Sequence, residues 1–303
     1  MKFLFIFVYI FILVKILVTG GAGFIGFHLR KKLLEIGHKI TIVDNLSNGN
    51  MQNVYELHGI TFNECDVTSR CFVNICRVGE FNAVFHLAAN SDIANPDPKI
   101  DMRNTFRTTY QVLKCCREFN IKQLIFPSTS AIFGDIKKTI DENIGPLQPL
   151  SHYGSAKLAS EAWISSYSYQ YGIQSWICRF PNVTGSNSTH GIVHDFKKKL
   201  LQSDVLEVLG DGNQCKPYIY VDDLVSAILF IWRNAKDRLN VYNIGSPDTI
   251  TVREIAEMMS KKIRYTGQSW IGDVSHYDYD CSKLTQLGWV NIRSSKEAIR
   301  LSI

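Results

Sequence analysis

The sequence predicts an α/β protein, a Rossmann-type doubly wound parallel sheet with a small C-terminal substrate-binding lobe. Three observations carry this. Short apolar β-type runs alternate with helix-period stretches from Lys15 onward. A glycine-rich string, Gly20-Gly21-Ala22-Gly23-Phe24-Ile25-Gly26, follows the first run and opens the first helix. The alternation then loosens beyond Pro181 into segments rich in Gly, Asn, Ser and Thr.

The elements follow in order. Ile16–Thr19 reads as a short buried strand, and Phe24–Ile36 has helical periodicity closed by Gly37. Lys39–Val43 is the next strand, ending at Asp44, and Ile60–Cys65 the one after, ending at Asp66. A helix around Ser69–Val78, a strand Ala83–Leu87, a helix Asn104–Phe119 and a strand Gln123–Phe126 continue the rhythm. Tyr153–Tyr171 is a long helix and Gln174–Phe180 another strand. Asp222–Asn234 and Val241–Ile244 read as a last helix and strand returning to the sheet. The expected division is a cofactor-binding part over 15–180, with 216–246 returning to it, and a lobe formed mainly by 181–303.

With 46% hydrophobic and 20% charged residues, 303 residues can bury a full core. A net charge of +5 is small for this length, and the lysines fall in short clusters such as Lys197-Lys198-Lys199; a nucleic-acid partner is not expected. None of the eight cysteines forms a C-x-x-C pair, which argues for reduced thiols in a reducing compartment and against a zinc site or disulfide framework. Residues 1–14 are almost wholly apolar, but the run Phe3–Val14 is shorter than the roughly 20 residues that span a bilayer. A signal peptide would need its cleavage site inside the glycine string. We therefore expect a cytoplasmic protein whose start is misassigned and whose chain opens on Lys15; membrane association through 1–14 is the alternative.

The glycine string is a place to lay a dinucleotide pyrophosphate: glycines permit the tight turn, the close approach of backbone amides and close helix–strand packing. Asp44, 18 residues after Gly26, stands where a carboxylate can accept both adenosine ribose hydroxyls and would repel a 2′-phosphate, so NAD is expected rather than NADP. Tyr153 and Lys157 lie one helical turn apart, and Thr129 ends the hydroxyl-rich strand before them. An ammonium and a cationic nicotinamide near a phenol lower its pKa; with a hydroxyl to pass the proton, this set can act on an alcohol while a nicotinamide moves a hydride. His86 sits in an apolar strand end and reads as structural, as do Asp222 and Asp223 at a helix start.

The chain resembles the extended short-chain dehydrogenases/reductases of the NAD-dependent sugar-nucleotide epimerase/dehydratase family. TGGAGFIG (Thr19–Gly26), VDNLSNG (Val43–Gly49), HLAAN (His86–Asn90), STSAIFGD (Ser128–Asp135) and YGSAK (Tyr153–Lys157) carry the likeness. RFPNVTG (Arg179–Gly185), GDGNQCKPYIYVDD (Gly210–Asp223), GDV (Gly272–Val274) and DCSKL (Asp280–Leu284) extend it to nearly everything after Val14. The resemblance implies Thr129, Tyr153 and Lys157 as catalytic residues. It assigns Gly20, Gly23, Phe24, Ile25, Gly26, Asp44, Asn45, Asp66, Val67, Leu87, Ala88, Ala89, Asn104 and Pro181, with Tyr153 and Lys157, to NAD. Asn90, Ser130, Asn182, Val193, Lys216 and Tyr277 would meet a sugar nucleotide.

Dehydratases of this family carry an Asp-Glu pair after the catalytic Thr; here Ser130 and Ala131 stand there, as in the 4-epimerases. The implied reaction is epimerisation of a UDP-hexose at C4 through a 4-keto intermediate. A UDP-glucuronate decarboxylase, a 4-keto-sugar reductase, a 4,6-dehydratase and a non-catalytic NAD-binding scaffold are the alternatives. Lys216 replaces an expected diphosphate-binding Arg, and Gln268 and Trp270 occupy the candidate places of a second; Arg179 and Lys197–Lys199 are candidate substitutes. A bulky Tyr277 would favour plain hexoses over N-acetylated ones. The resemblance also implies a homodimer through the helices after Asn104 and at Tyr153–Tyr171, with Val112, Trp163 and Tyr167 as candidate contacts.

Overall fold

The computed structural model describes residues 14–55, 59–136, 138–269 and 273–303. The apolar stretch 1–13, Trp270 and Gly272 lie outside the described residues. Seven strands form the central sheet: β1 (Lys15–Thr19), β2 (Lys39–Asp44), β3 (Ile60–Glu64), β4 (Ala83–His86), β5 (Gln123–Thr129), β6 (Gln174–Phe180) and β7 (Leu239–Asn243). Their order is β3-β2-β1-β4-β5-β6-β7 and every pairing is parallel.

The sheet is covered on both faces because successive side chains of a strand point opposite ways. Ile16 and Val18 of β1 pack into one core with Leu29 and Leu33 of the Phe24–Glu35 helix and Ala227, Ile228 and Ile231 of the Val221–Asn234 helix. Leu17, between them, joins the opposite core with Phe72, Val112, Leu113 and Ile164. The chain reverses direction across the sheet between β1 and β4. A crevice opens there at the carboxyl ends of the strands, where ligands of such sheets bind.

A smaller apolar core of Val193, Phe196, Leu206, Val208, Tyr218, Ile250, Ile255 and Ile299 lies within 192–299. Three two-stranded ladders accompany it: Asn182–Thr184 with Tyr218–Tyr220, Cys215–Lys216 with Ile250–Thr251, and Leu206–Val208 with Ile263–Tyr265. Among the described residues no helix is long and apolar enough to cross a membrane.

Two elements differ from the sequence expectation. The helix expected from Asn104 begins at Pro98: the Asp97 side chain caps it by accepting from the Lys99 amide at 3.0 Å, and Pro occupies the first turn, where its missing N–H costs nothing. A π-helical stretch, Met102–Arg107, then leads into Thr108–Glu118. Strand β5 does not stop at Phe126 but runs through Pro127 to Thr129. The β4 ladder ends at Ile125, whereas pairing with β6 continues to Thr129, so the donor that Pro127 lacks is not needed on the β4 side.

Candidate active site

The glycine turn is built for close approach. Gly20 has φ +71, and a Cβ there would stand 2.6 Å from the Ala88 amide nitrogen; a Cβ on Gly26 would collide with the Gly20 carbonyl. The first helix therefore presents its amino end directly against the end of β1. Asp44, at the end of β2, braces the turn: one carboxylate oxygen accepts from the Ala22 amide at 2.9 Å and the other from Leu46 at 2.8 Å. Burial raises its pKa, with these two amides and Arg30 opposing. Asp66 accepts from the Thr68 amide and hydroxyl at 2.7 and 2.6 Å and from Asn45 Nδ2 at 3.2 Å, and the Thr68 and Asn45 bonds, with Arg103, lower its pKa against desolvation.

One cavity of about 1320 Å³ runs from this turn to the smaller core. Every residue assigned to catalysis, cofactor or substrate by the sequence lines it: Gly20, Gly23, Phe24, Ile25, Gly26, Asp44, Asn45, Asp66, Val67, Leu87, Ala88, Ala89, Asn90 and Asn104 on one side, and Thr129, Ser130, Tyr153, Lys157, Pro181, Asn182, Val193, Lys216 and Tyr277 on the other. The fit to a dinucleotide is a property of the residues present: a turn that tolerates no side chain, a helix amino end, and a carboxylate at the second strand's end.

Thr129 and Tyr153 meet through a side-chain hydrogen bond. The Tyr153 helix is placed by Ser151, whose Oγ caps it by accepting from the Gly154 amide at 3.1 Å. Lys157 is buried, donates from Nζ to the Pro127 carbonyl at 2.7 Å, and lies 4.5 Å from the centroid of the Phe126 ring. Burial pushes its pKa down to about 7, with Glu161 and Asp101 pulling upward. The phenol of Tyr153 is pushed up to about 12, chiefly by burial and in part by the Asp101 charge, against the Thr129 hydrogen bond. Lys157, the expected source of a lowering, is not among the groups that set the Tyr153 pKa here; its ammonium donates to a backbone carbonyl instead.

Tyr277 is buried, and its hydroxyl lies 3.0 Å from Ser130 Oγ, closing the cavity beside Thr129. His86 is structural, as expected: Nδ1 meets Thr19 Oγ1 at 2.7 Å and Nε2 meets Thr109 Oγ1 at 3.2 Å, and burial, with Lys157, drives its pKa down to about 3. Asp222 and Asp223 open the Val221–Asn234 helix, and Asp223 pairs with Arg293.

The candidate substitutes for the missing arginines fare differently. Arg179 is buried in an ion pair with Glu161, 2.7 Å from Nη2 to Oε2, and Ser128 Oγ also donates to that carboxylate, so Arg179 does not face the cavity as a free cation. Lys197 and Lys199 donate to the carbonyls of Ser302 and Glu207 at 2.8 and 2.9 Å. Lys216 lines the cavity but pairs with Asp273, which also accepts from Ser269. Gln268 contributes its carbonyl to a turn, accepting from the Gly210 amide at 2.8 Å, and does not line the cavity. Of Lys197, Lys198 and Lys199, the last two line the cavity; Asp273, Gln214 and His190, not assigned to the site from sequence, line it as well. The GDV string is the available signal for Asp273; Gln214 and His190 stand in irregular segments, where no periodicity marks an inward side.

Fold and site together define a nicotinamide-dinucleotide enzyme that acts on an alcohol. Residues 16–245 match the NAD dependent epimerase/dehydratase family. The chain belongs to that family, and it is an NAD-dependent nucleotide-sugar epimerase. A UDP-glucose 4-epimerase of Corynebacterium glutamicum is 29% identical over 264 residues, covering 81% of this chain and 79% of that protein. The crystal structure of UDP-glucose 4-epimerase from Thermotoga maritima with UDP-glucose superposes with a TM-score of 0.86 at 31% identity, over 95% of this chain and 97% of that one. A UDP-glucuronic acid 4-epimerase from Bacillus cereus, in complex with UDP-glucuronic acid and NAD, gives a TM-score of 0.86 at 26% identity, over 95% and 97%.

Proposed function

We propose that this chain interconverts UDP-glucose and UDP-galactose by epimerisation at C4. The observation that carries the choice of reaction is the wall beside Thr129: Ser130 and Ala131 stand where elimination of water would need an acid and a base, and Ser130 is bonded to Tyr277. Tyr153 is left as the proton-transferring group at the sugar. NAD, when bound, would supply a reversible hydride acceptor for C4, so that no external oxidant need be consumed. Tyr153, as phenolate, takes the C4 hydroxyl proton with Thr129 bridging, and gives it back after the 4-keto sugar has presented its other face. Lys157 holds positive charge beside that proton transfer. Gly20, Gly23 and Gly26 would admit the pyrophosphate, Asp44 would hold the ribose, Asp66 and Val67 would flank the adenine, and Pro181 would lie against the nicotinamide.

Lys216 and Asn182 would meet the diphosphate, and Tyr277 leaves room for a plain hexose rather than an N-acetylated one. The smaller core over 192–299 carries this substrate side. A homodimer through the long helices fits an exposed aromatic ladder in which Trp163, 41% exposed, packs 5.1 Å from Tyr110 and 6.0 Å from Tyr167. Val112 and Tyr167 are buried in the sheet core, so of the three candidate contacts Trp163 is the one at the surface. All eight cysteines are unpaired, which suits a cytoplasmic setting.

The test is incubation of purified protein with UDP-galactose, without added cofactor, and separation of the sugar nucleotides. Appearance of UDP-glucose up to an equilibrium mixture is the expected result. No conversion after NAD is supplied would overturn this substrate assignment, and UDP-glucuronate giving UDP-xylose would move the chain to the decarboxylases.

A further inference from the structure

Asp101 ends the Pro98–Asp101 helix, where the chain passes into the π-helical stretch; both pack on the His152–Tyr171 helix that carries Tyr153 and Lys157. Its side chain is 1% exposed. One carboxylate oxygen accepts from Asn90 Nδ2 at 2.9 Å, and the other is buried with no hydrogen-bond partner among the described residues. A carboxylate in that position is costly unless compensating charge faces it.

The groups that face it are His152, Tyr153 and Lys157 from the long helix and Asp92 from the loop after β4. Of the two carboxylates that act on Lys157, Glu161 is engaged by Arg179 and Ser128. Among the described residues Lys157 itself hydrogen-bonds a neutral carbonyl and no carboxylate. Asp101 is therefore the carboxylate near Lys157 that no ion pair neutralises among the described residues. Asn90, which it anchors, lines the cavity, donates its backbone N–H to Thr105 Oγ1 at 3.1 Å, and donates from Nδ2 to the Asp92 carbonyl at 3.0 Å.

We propose that Asp101 is a positioning residue for the proton transfer: from behind the cavity wall its buried carboxylate fixes Asn90 and acts as the counter-charge to Lys157. It does not line the cavity and touches neither sugar nor cofactor. The inference rests on the reading of Tyr153 and Lys157 as the acid–base pair. Burial is the largest influence on Asp101 itself and raises its pKa, with the Asn90 hydrogen bond, His152 and Lys157 opposing and Asp92 reinforcing. Ionised, it favours the protonated forms of both Tyr153 and Lys157.

The consequence separates a charge role from a packing role. Removing the charge lowers both proton affinities, so both limbs of the pH profile of kcat move toward acid, whichever group dominates each limb. For loss of one nearby buried charge at an effective dielectric of about 20, the displacement is on the order of one pH unit. Asp101→Asn should then be up to about tenfold faster, relative to its own maximum, on the acid limb and about tenfold slower on the alkaline limb. Asp101→Glu, which keeps the charge, should leave the limbs near their wild-type positions. The experiment is the full pH profile of sugar-nucleotide turnover for wild type and these variants, with Asp101→Ser added should the Asn variant not fold, since Ser is neutral and still accepts from Asn90. A profile that merely drops in height at every pH would overturn the proposal, and so would failure of both neutral variants to fold. Absence of turnover in the wild type would instead strike the proposed reaction, so the two failures are distinguishable.

Discussion

Lys157 reaches across from its helix to donate to the Pro127 carbonyl at 2.7 Å, two residues before Thr129 on the same strand. The cation and the hydroxyl of the site are thus fixed to one strand end, and the phenol of Tyr153 is bonded to that hydroxyl. The extension of β5 through Pro127 makes this possible: a strand ending at Phe126 would leave Thr129 and the carbonyl that holds Lys157 outside the sheet. Tyr153→Phe removes the acid–base group while leaving this framework intact. Its kcat should fall by about 10²–10⁴-fold, with NAD still bound when protein-bound nucleotide is extracted and quantified. Loss of NAD together with activity would mean that the phenol serves binding rather than proton transfer.

Lys157→Met should lose activity as well, but by a different route. The Pro127 carbonyl would lose its buried donor, at a cost of about 1–3 kcal/mol, so the melting temperature should drop along with turnover. A variant as stable as wild type and merely slow would show that the hydrogen bond to Pro127 contributes nothing to the fold.

Beneath the site, Arg179 and Glu161 join β6 to the long helix, and Glu161 also holds Ser128. Both side chains of the pair are less than a tenth exposed. Breaking a buried pair from one side strands the other charge, so Glu161→Gln should lower unfolding stability by about 3–5 kcal/mol. Chemical denaturation curves measure it. The double variant Arg179→Met/Glu161→Leu should recover much of the loss, because it strands no charge.

Acid should loosen the fold through His86. Its pKa is held near 3 in the folded protein against an ordinary value of 6.5, since the imidazole is buried neutral between Thr19 and Thr109. Between pH 6.5 and 3 the unfolded chain takes up a proton that the folded chain refuses. Stability contributed by the neutral ring is therefore complete above pH 6.5 and is lost as pH falls through that window, by at most about 1.4 kcal/mol per unit. Urea titrations at pH 7 and pH 5 should differ by this slope, and the slope should shrink in His86→Gln.

Much of this was legible in the sequence, because the glycine string, the strand-end Asp44, Thr129 and the Tyr153–Lys157 step are local patterns with fixed chemistry. The strands they ride on are continuous apolar runs, as sheets covered on both faces require. What stayed hidden depends on contacts distant in sequence. Nothing local reveals that Arg179 is claimed by Glu161, that Lys216 meets Asp273 some 57 positions away, or that Asp101 lies buried behind Lys157. The early start at Pro98 was signalled by an Asp-Pro step that also fits a turn, and packing against the long helix decided it.

The pairing of Lys216 with Asp273 bears on how the diphosphate is held. A lysine already compensated by a carboxylate offers an anion less than a free one does, and it lacks the two-pronged geometry of arginine. Lys216→Met should raise KM for the sugar nucleotide, with a smaller change in kcat, as expected when uniform binding is lost. Asp273→Asn leaves Lys216 uncompensated and gives the opposite sign if Asp273 acts only as its partner: KM should fall. A rise in KM on replacing Asp273 would show that this carboxylate contacts the ligand itself, through hydroxyls it can accept from. Measuring KM and kcat for both variants at two salt concentrations distinguishes these outcomes, because the contribution of Lys216 to an anion weakens with ionic strength and a hydroxyl contact does not.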